Sequence, residues 1–279
     1  MNVKQAIVTG ASSGFGLLTV LELAKSGYHV IATMRNLEKA EVLQNELIKH
    51  HLRDKVDFLQ LDVTSQEDIV QFQNKLEHYR HIQLLVNNAG FAQGGFAEDV
   101  TIEQYRAQFE TNVLGVISIS QAVIPFMKKQ KSGRIINLSS VSGLIGFPAL
   151  SAYVASKHAI EGFCESLRLE LKPFGIDVIL IEPGSYATNI WSSSLTDAET
   201  LLHNSSYKPF MEKIQTRLTN EEKNLGNPTD VAKLITFAAN TPHPKLRYAV
   251  GKGVKLNHFV KSILPWRLWE KIVLKTLYK

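Results

Sequence analysis

At 279 residues, 44% of them hydrophobic and 20% charged, the chain has the length of one large α/β domain with a substantial core, and nothing before the C-terminal region reads as extended disorder. The formal charge of +5 is what an anion-binding site and a basic tail supply together, and without zinc-finger spacing or a basic repeat it argues against a nucleic-acid partner. The single cysteine, Cys164, excludes an intrachain disulfide and a multi-cysteine metal site and fits a reducing, cytoplasmic setting.

From the N-terminus, short β-branched runs alternate with stretches of helical period. Val3 to Thr9 is predicted as a strand, begun so soon after Met1 that no signal peptide is expected before it. A helix over Gly14 to Ser26, a strand over Tyr28 to Thr33, a helix over Leu37 to His50 and a strand over Val56 to Leu61 follow. Next come a helix over Gln66 to Arg80, a strand over Ile82 to Asn87, a helix over Ile102 to Gln130, and a strand over Gly133 to Leu138. A helix over Ser151 to Lys172 and a strand over Ile176 to Ile181 complete the regular part, and such apolar runs are far short of the roughly 20 residues that span a bilayer. Strands apolar on both faces and separated by helices imply a doubly wound parallel sheet, the Rossmann-type α/β fold, in one domain over residues 1–279. Ligands of such sheets bind beyond the carboxyl ends of the strands, which places the chemistry near Thr9, Asn87, Ser139, Ser140 and Pro183. Residues 192–227 are polar and read as a substrate loop with some helix, after which Pro228 opens another helix. Residues 255–279 form an amphipathic, basic extension that Pro265 divides into two short helices.

The turn between the first strand and helix carries Gly10, Ser12, Ser13, Gly14, Phe15 and Gly16 in the spacing G-x-x-x-G-x-G. Glycines at such a turn can be purely conformational, but they also bring backbone close to a pyrophosphate while the following helix offers unpaired N–H groups and its positive dipole end. Just beyond the second strand, where an NAD-binding site usually has an acid for the ribose 2′-hydroxyl, the run Ala32-Thr33-Met34-Arg35 has none. Arg35 and Ser12 can instead bond a 2′-phosphate, so the expected cofactor is NADP(H), with NAD(H) less favoured.

Tyr153 and Lys157 stand four apart at the start of a helix and share a face. A neighbouring ammonium favours phenolate, so the tyrosine is expected to titrate closer to working pH and to serve as general acid or base. Alone, Y-x-x-x-K is common on ordinary helices. Together with the glycine turn, Asn87-Asn88-Ala89-Gly90, Asn112, Ser140 thirteen residues before Tyr153, and Pro183-Gly184 with Thr188, it resembles the short-chain dehydrogenase/reductase family from Val3 to about Val250. Ala-Thr-Met-Arg and the long C-terminal part look like the steroid and retinol dehydrogenase-like members.

The resemblance implies that Ser140 hydrogen-bonds the substrate oxygen, Tyr153 exchanges its proton, and Lys157 also holds the nicotinamide ribose. Asn112 would support a proton relay to Lys157, Asp62-Val63 would border the adenine, Asn88 would steady the central sheet, and Asn88, Ala89 and Gly90 would belong to the cofactor site. Pro183, Gly184 and Thr188 would lie on the nicotinamide side, and a homo-oligomer is implied. Ser139 is off the family spacing by one. The nine histidines show no ligand spacing, so no metal is expected, and Cys164 reads as packing.

A non-catalytic dinucleotide sensor would be expected to lack part of Ser140, Tyr153 and Lys157. A sugar-nucleotide epimerase or dehydratase would show G-x-x-G-x-x-G and a larger substrate domain. The favoured function is hydride transfer between the cofactor and a carbonyl or alcohol. Ile145, Phe147, Leu150, Tyr186, Ile190 and Trp191, if they line one pocket, favour a lipophilic substrate. The tail suits a cover over that pocket or a subunit contact, with reversible contact to an anionic membrane as the competing reading.

Overall fold

The computed structural model describes residues 4–188, 205–221 and 225–278. Ile190, Trp191 and much of the expected substrate loop, residues 192–204 and 222–224, lie outside them. Seven strands among the described residues form one sheet: β1 (Gln5–Val8), β2 (His29–Met34), β3 (Val56–Gln60), β4 (Ile82–Asn87), β5 (Gly133–Leu138), β6 (Ile176–Pro183) and β7 (Arg247–Val250). Their order is β3-β2-β1-β4-β5-β6-β7, and every neighbouring pair is parallel. This is the doubly wound parallel sheet that the alternation of elements implies.

Alternation along each strand explains why both faces need helices. Ala6 and Val8 of β1 enter one core while Ile7 enters the other, and β6 splits in the same way between Ile179 and Ile181 and between Val178 and Leu180. The first core is closed by α1 (Gly14–Lys25), α2 (Glu41–Lys49) and α8 (Pro228–Asn240), through Val20, Leu23, Leu43, Leu47, Val231 and Ile235. The second is closed by α3 (Gln66–Leu76), α5 (Gly115–Gln130) and α6 (Ser151–Leu171), through Phe72, Ile119, Val123, Met127, Ile160 and Cys164. Asn87 Nδ2 donates to Ser120 Oγ at 3.0 Å and to Asn137 Oδ1 at 2.8 Å, and Asn137 Nδ2 to Cys164 Sγ at 3.0 Å, so polar side chains tie β4, β5, α5 and α6 beneath the site.

Two features depart from the expectation, and a third gives the helix that was expected its bounds. The helix over Ile102 to Gln130 is divided into α4 (Ile102–Phe109), a π-helical turn (Glu110–Leu114) and α5. Although this stretch is long and apolar enough to cross a bilayer, its apolar stripe is spent on the core. The edge strand β7 has no counterpart in the prediction. Within the expected substrate loop the described part forms α7 (Lys208–Glu221).

Pro265 does divide the tail, into α9 (Val254–Ile263) and α10 (Trp266–Tyr278). Leu264, pushed to extended backbone before the proline, makes the break (φ −81°, ψ 135°). The inner sides pack on the body: Val254 and Trp269 are buried, Lys261 Nζ donates to Leu144 O, and α10 rests against α7.

Candidate active site

Strand order reverses between β1 and β4, and the crevice this opens at their carboxyl ends holds the site. Thr9 Oγ1 accepts from the backbone N–H groups of Asn88 and Ala89, each at 3.0 Å, while Asn88 Nδ2 donates to Thr9 O at 2.8 Å and Gly10 O at 3.1 Å. These four bonds fix the glycine turn to β4. A Cβ on Gly10, whose φ is +66°, would stand 2.8 Å from Ala89 Cα, and one on Gly16 would stand 2.3 Å from Gly10 O. Only hydrogen fits at either place, so α1 starts directly on the turn. Its N-cap, Ser13, is extended and makes no capping bond, and its first turn has no acid. The first-turn N–H groups are therefore left for an anion.

A groove of about 730 Å³ runs from this turn in both directions. Ser12, Ser13, Gly14 and Phe15 line its middle, with Asp62, Val63, Asn88, Ala89 and Gly90 along one wall. Asp62 is held in place by bonds from Thr64 N (2.9 Å) and Thr64 Oγ1 (2.8 Å) to one carboxylate oxygen and by its own N–H to Asp68. At one end lie Arg35, Asn36 and Lys39. Asn36 and Lys39 were not singled out by the sequence reading, because Lys39 reaches the groove only through the short 3₁₀ turn Leu37–Ala40, which Asn36 caps by accepting from Glu38 N at 2.8 Å. The elongated groove, the uncapped helix start and two exposed cations beyond β2 fit a dinucleotide carrying a third phosphate.

At the other end lie Tyr153, Lys157, Leu138, Ser139 and Thr188. Both Tyr153 and Lys157 are buried on the inner side of α6, the ammonium 5.6 Å from the ring centre, and Lys157 Nζ donates to Leu138 O at 2.6 Å. The expected pull on the phenol is reversed. Burial pushes Tyr153 up to about 12, with the Ser140 hydroxyl beside it pulling weakly the other way. Burial also brings Lys157 down to about 8, against the negative charge of Glu161, which pulls upward. Removal from water outweighs the cation because Lys157 spends its short bond on a carbonyl rather than on the phenol.

Ser140 Oγ accepts from Ser142 N at 3.1 Å and stays next to Tyr153, whereas Ser139 Oγ is committed to Glu161 Oε1. Asn112 lies beneath the groove in the π-helical turn. Its Oδ1 accepts from Phe91 N at 3.1 Å, and its Nδ2 donates to Phe91 O at 2.9 Å and to Ser156 Oγ at 3.4 Å. Its side chain therefore ties the loop after β4 to α6, and wide helical turns of this kind recur at functional sites.

Pro183 and Gly184 sit where β6 pairs with Val250, Gly184 N donating to Val250 O at 2.9 Å, and they carry the chain to Thr188, which packs against Gly14. Neither borders the groove itself. An ion cluster that no sequence spacing announced adjoins the site. Arg247 of β7 bonds Glu161 at 2.9 Å and Glu165 at 2.6 Å and stands 3.3 Å from Glu182. Burial, reinforced by the negative charge of Glu161, raises Glu182 to about 7. Glu161 is four residues beyond Lys157 on α6, the one hint available in the sequence.

The apolar residues expected to share a pocket separate. Tyr186 packs edge-on against Phe15, 5.6 Å between centres, and is buried with the first core. Phe147 instead helps line a second cavity of about 610 Å³ with Pro148, Val154, Trp266, Trp269 and Val273, on the side of α6 away from Tyr153 and Lys157.

The glycine turn, the crevice at the strand reversal and the buried Tyr153-Lys157 pair beside Ser140 define a nucleotide-dependent oxidoreductase. The short chain dehydrogenase family model matches residues 4–199, and the chain belongs to that family. It is 51% identical to the uncharacterized oxidoreductase YusZ of Bacillus subtilis (strain 168), over the whole of both chains. It is 34% identical to the 3-ketodihydrosphingosine reductase of Bacteroides thetaiotaomicron, covering 94% of this chain and 93% of that one. Human retinol dehydrogenase 8 is also 34% identical, over 88% of this chain and 80% of its own length. Among solved structures, a short-chain dehydrogenase from Streptomyces avermitilis superposes with a TM-score of 0.80 at 31% identity, over 99% of both chains. An actinorhodin polyketide ketoreductase with NADPH does so with 0.76 at 29%, over 90% of this chain and 97% of that one.

Proposed function

We propose that this chain is an NADP(H)-preferring oxidoreductase that interconverts a carbonyl and a primary or secondary alcohol on a lipophilic substrate. The observation that carries the reading is one groove with Tyr153 and Lys157 at one end, Ser140 hydrogen-bonded beside Tyr153, and the cations Arg35 and Lys39 at the other end. When bound, NADP(H) supplies or accepts the hydride. In reduction, Tyr153 gives its phenolic proton to the substrate oxygen as negative charge develops there, and Ser140 Oγ donates a hydrogen bond to the same oxygen. A phenol raised to about 12 is fully protonated at neutral pH and stands ready as the acid. The Lys157 ammonium, 5.6 Å from the ring, steadies the phenolate that remains. Arg35, Lys39 and Ser12 favour the 2′-phosphate by charge-assisted bonds that a hydroxyl cannot match.

Support for a lipophilic substrate comes from relatives that carry the names of a 3-ketodihydrosphingosine reductase and a retinol dehydrogenase. The test is a panel of ketones and aldehydes graded in chain length, followed by loss of NADPH. The expected result is kcat/KM that rises with apolar length. No length dependence contradicts a lipophilic substrate.

A further inference from the structure

Charge is distributed unevenly along the chain. Residues 251–279 hold seven lysines and arginines and one acid, a formal +6, while the first 250 residues hold 24 basic and 25 acidic side chains, a formal −1. The whole basic excess of the protein therefore resides in its last 29 residues. Among the described residues none of these cations makes an ion pair, and only Lys261 is bound back to the body.

The outer sides of both helices are apolar as well as basic. On α9, Leu256, Phe259 and Ile263 recur at spacings of three and four and are 63%, 59% and 61% exposed, while Val254 on the opposite side is buried. On α10, Trp269 and Val273 turn inward to the cavity, and Arg267, Lys271 and Lys275 form an outward row at spacings of four beside the exposed Leu268 and Ile272. Trp266 borders the cavity and yet remains 65% exposed, at the corner next to Pro265. Exposing this many large apolar side chains to water is costly unless something covers them.

We propose that the outer faces of α9 and α10 form a docking surface for an anionic lipid bilayer. Charge selects the occupant. A second copy of this chain would set one +6 segment against another, and a nucleic acid would use the cations while leaving Leu256, Phe259 and Ile263 in water. An acidic headgroup layer over acyl chains matches both features, with tryptophan at the boundary and lysines on the polar side. The inner faces keep their packing on the body, so docking requires no rearrangement of the fold. This inference stands apart from the cofactor and substrate reading, because membrane binding is measured without turnover.

The experiment is co-sedimentation of the full chain with unilamellar vesicles of phosphatidylcholine, with and without phosphatidylglycerol, at low and high salt. Two variants, Phe259→Glu and the pair Lys271→Glu with Lys275→Glu, are run alongside, and light scattering reports their oligomeric state. The expected result is binding that requires phosphatidylglycerol, is released by salt, and weakens by about tenfold or more in each variant, with NADPH-dependent turnover of a small soluble carbonyl unchanged. Absence of binding, or binding indifferent to phosphatidylglycerol and salt, would overturn the proposal. So would an oligomer in the wild type that both variants dissociate, since the face would then belong to a second copy.

Discussion

At the scale of single residues, the chemistry depends on what burial does to Tyr153 and Lys157. Tyr153→Phe removes only the hydroxyl from a ring already packed at the groove wall. It is expected to leave fold and cofactor binding in place while turnover falls by about two to four orders of magnitude, the range for a positioned acid-base group. Steady-state rates beside NADPH-binding titrations check it, and turnover near that of the wild type contradicts the role. The pH profile follows from the same burial. Because burial sets Lys157 to about 8 and Tyr153 to about 12, the phenol keeps its proton over the neutral range while the ammonium is the first of the pair to lose one. The kcat/KM for carbonyl reduction is therefore expected to hold level at neutral pH and to decline as pH rises through about 8. A profile that stays flat well above that region counts against Lys157 as the charged partner. Sequence spacing places these two residues on one face but says nothing about their desolvation, which depends on β5 and the loops around α6. That is why the direction of the tyrosine's shift could not be read from it.

At the scale of elements, the parts legible in the sequence are those whose signals are local. β4 and β5 were readable to their ends because their apolar runs stop where polar loop residues begin, and the break at Pro265 was readable because proline acts on its own neighbours. β7 was not. Its four residues sit at the sheet edge, half-buried throughout, without the continuous apolar run that marks the inner strands. The π-helical turn was equally hidden, since Asn112 is bonded to Phe91 and Ser156, 21 and 44 residues away. Gly16 gives the element-scale test. Gly16→Ala would drive a methyl against Gly10 O and Asn88 Nδ2, prising α1 from the turn. Stability is expected to fall by about 1–3 kcal/mol, the usual cost of overpacking, and NADPH affinity to fall with it. Thermal melting and a binding titration read both. Unchanged affinity would mean that the turn does not hold the phosphates.

At the scale of the whole molecule, the sheet places one end of the groove beyond β2 and the other beside α6, so the proposed seats of cofactor choice and proton transfer lie apart along a single crevice. The residues of that crevice come from six strand ends and the loops beyond them, and most were legible because each belongs to a short motif. The second cation, Lys39, was not, since it reaches the crevice through a short 3₁₀ turn, nor was the ion cluster around Arg247, which only the folded sheet assembles. The proposed function requires this one groove to be both the cofactor site and the seat of catalysis. Its most direct test is kcat/KM for a carbonyl substrate with NADPH and with NADH, in the wild type and in Arg35→Asp. The wild type is expected to favour NADPH, and the variant to shift toward NADH by a few kcal/mol in the ratio of the two, as loss of a charged bond and gain of a repulsion require. A wild type that prefers NADH, or a preference that Arg35→Asp leaves unmoved, contradicts the account.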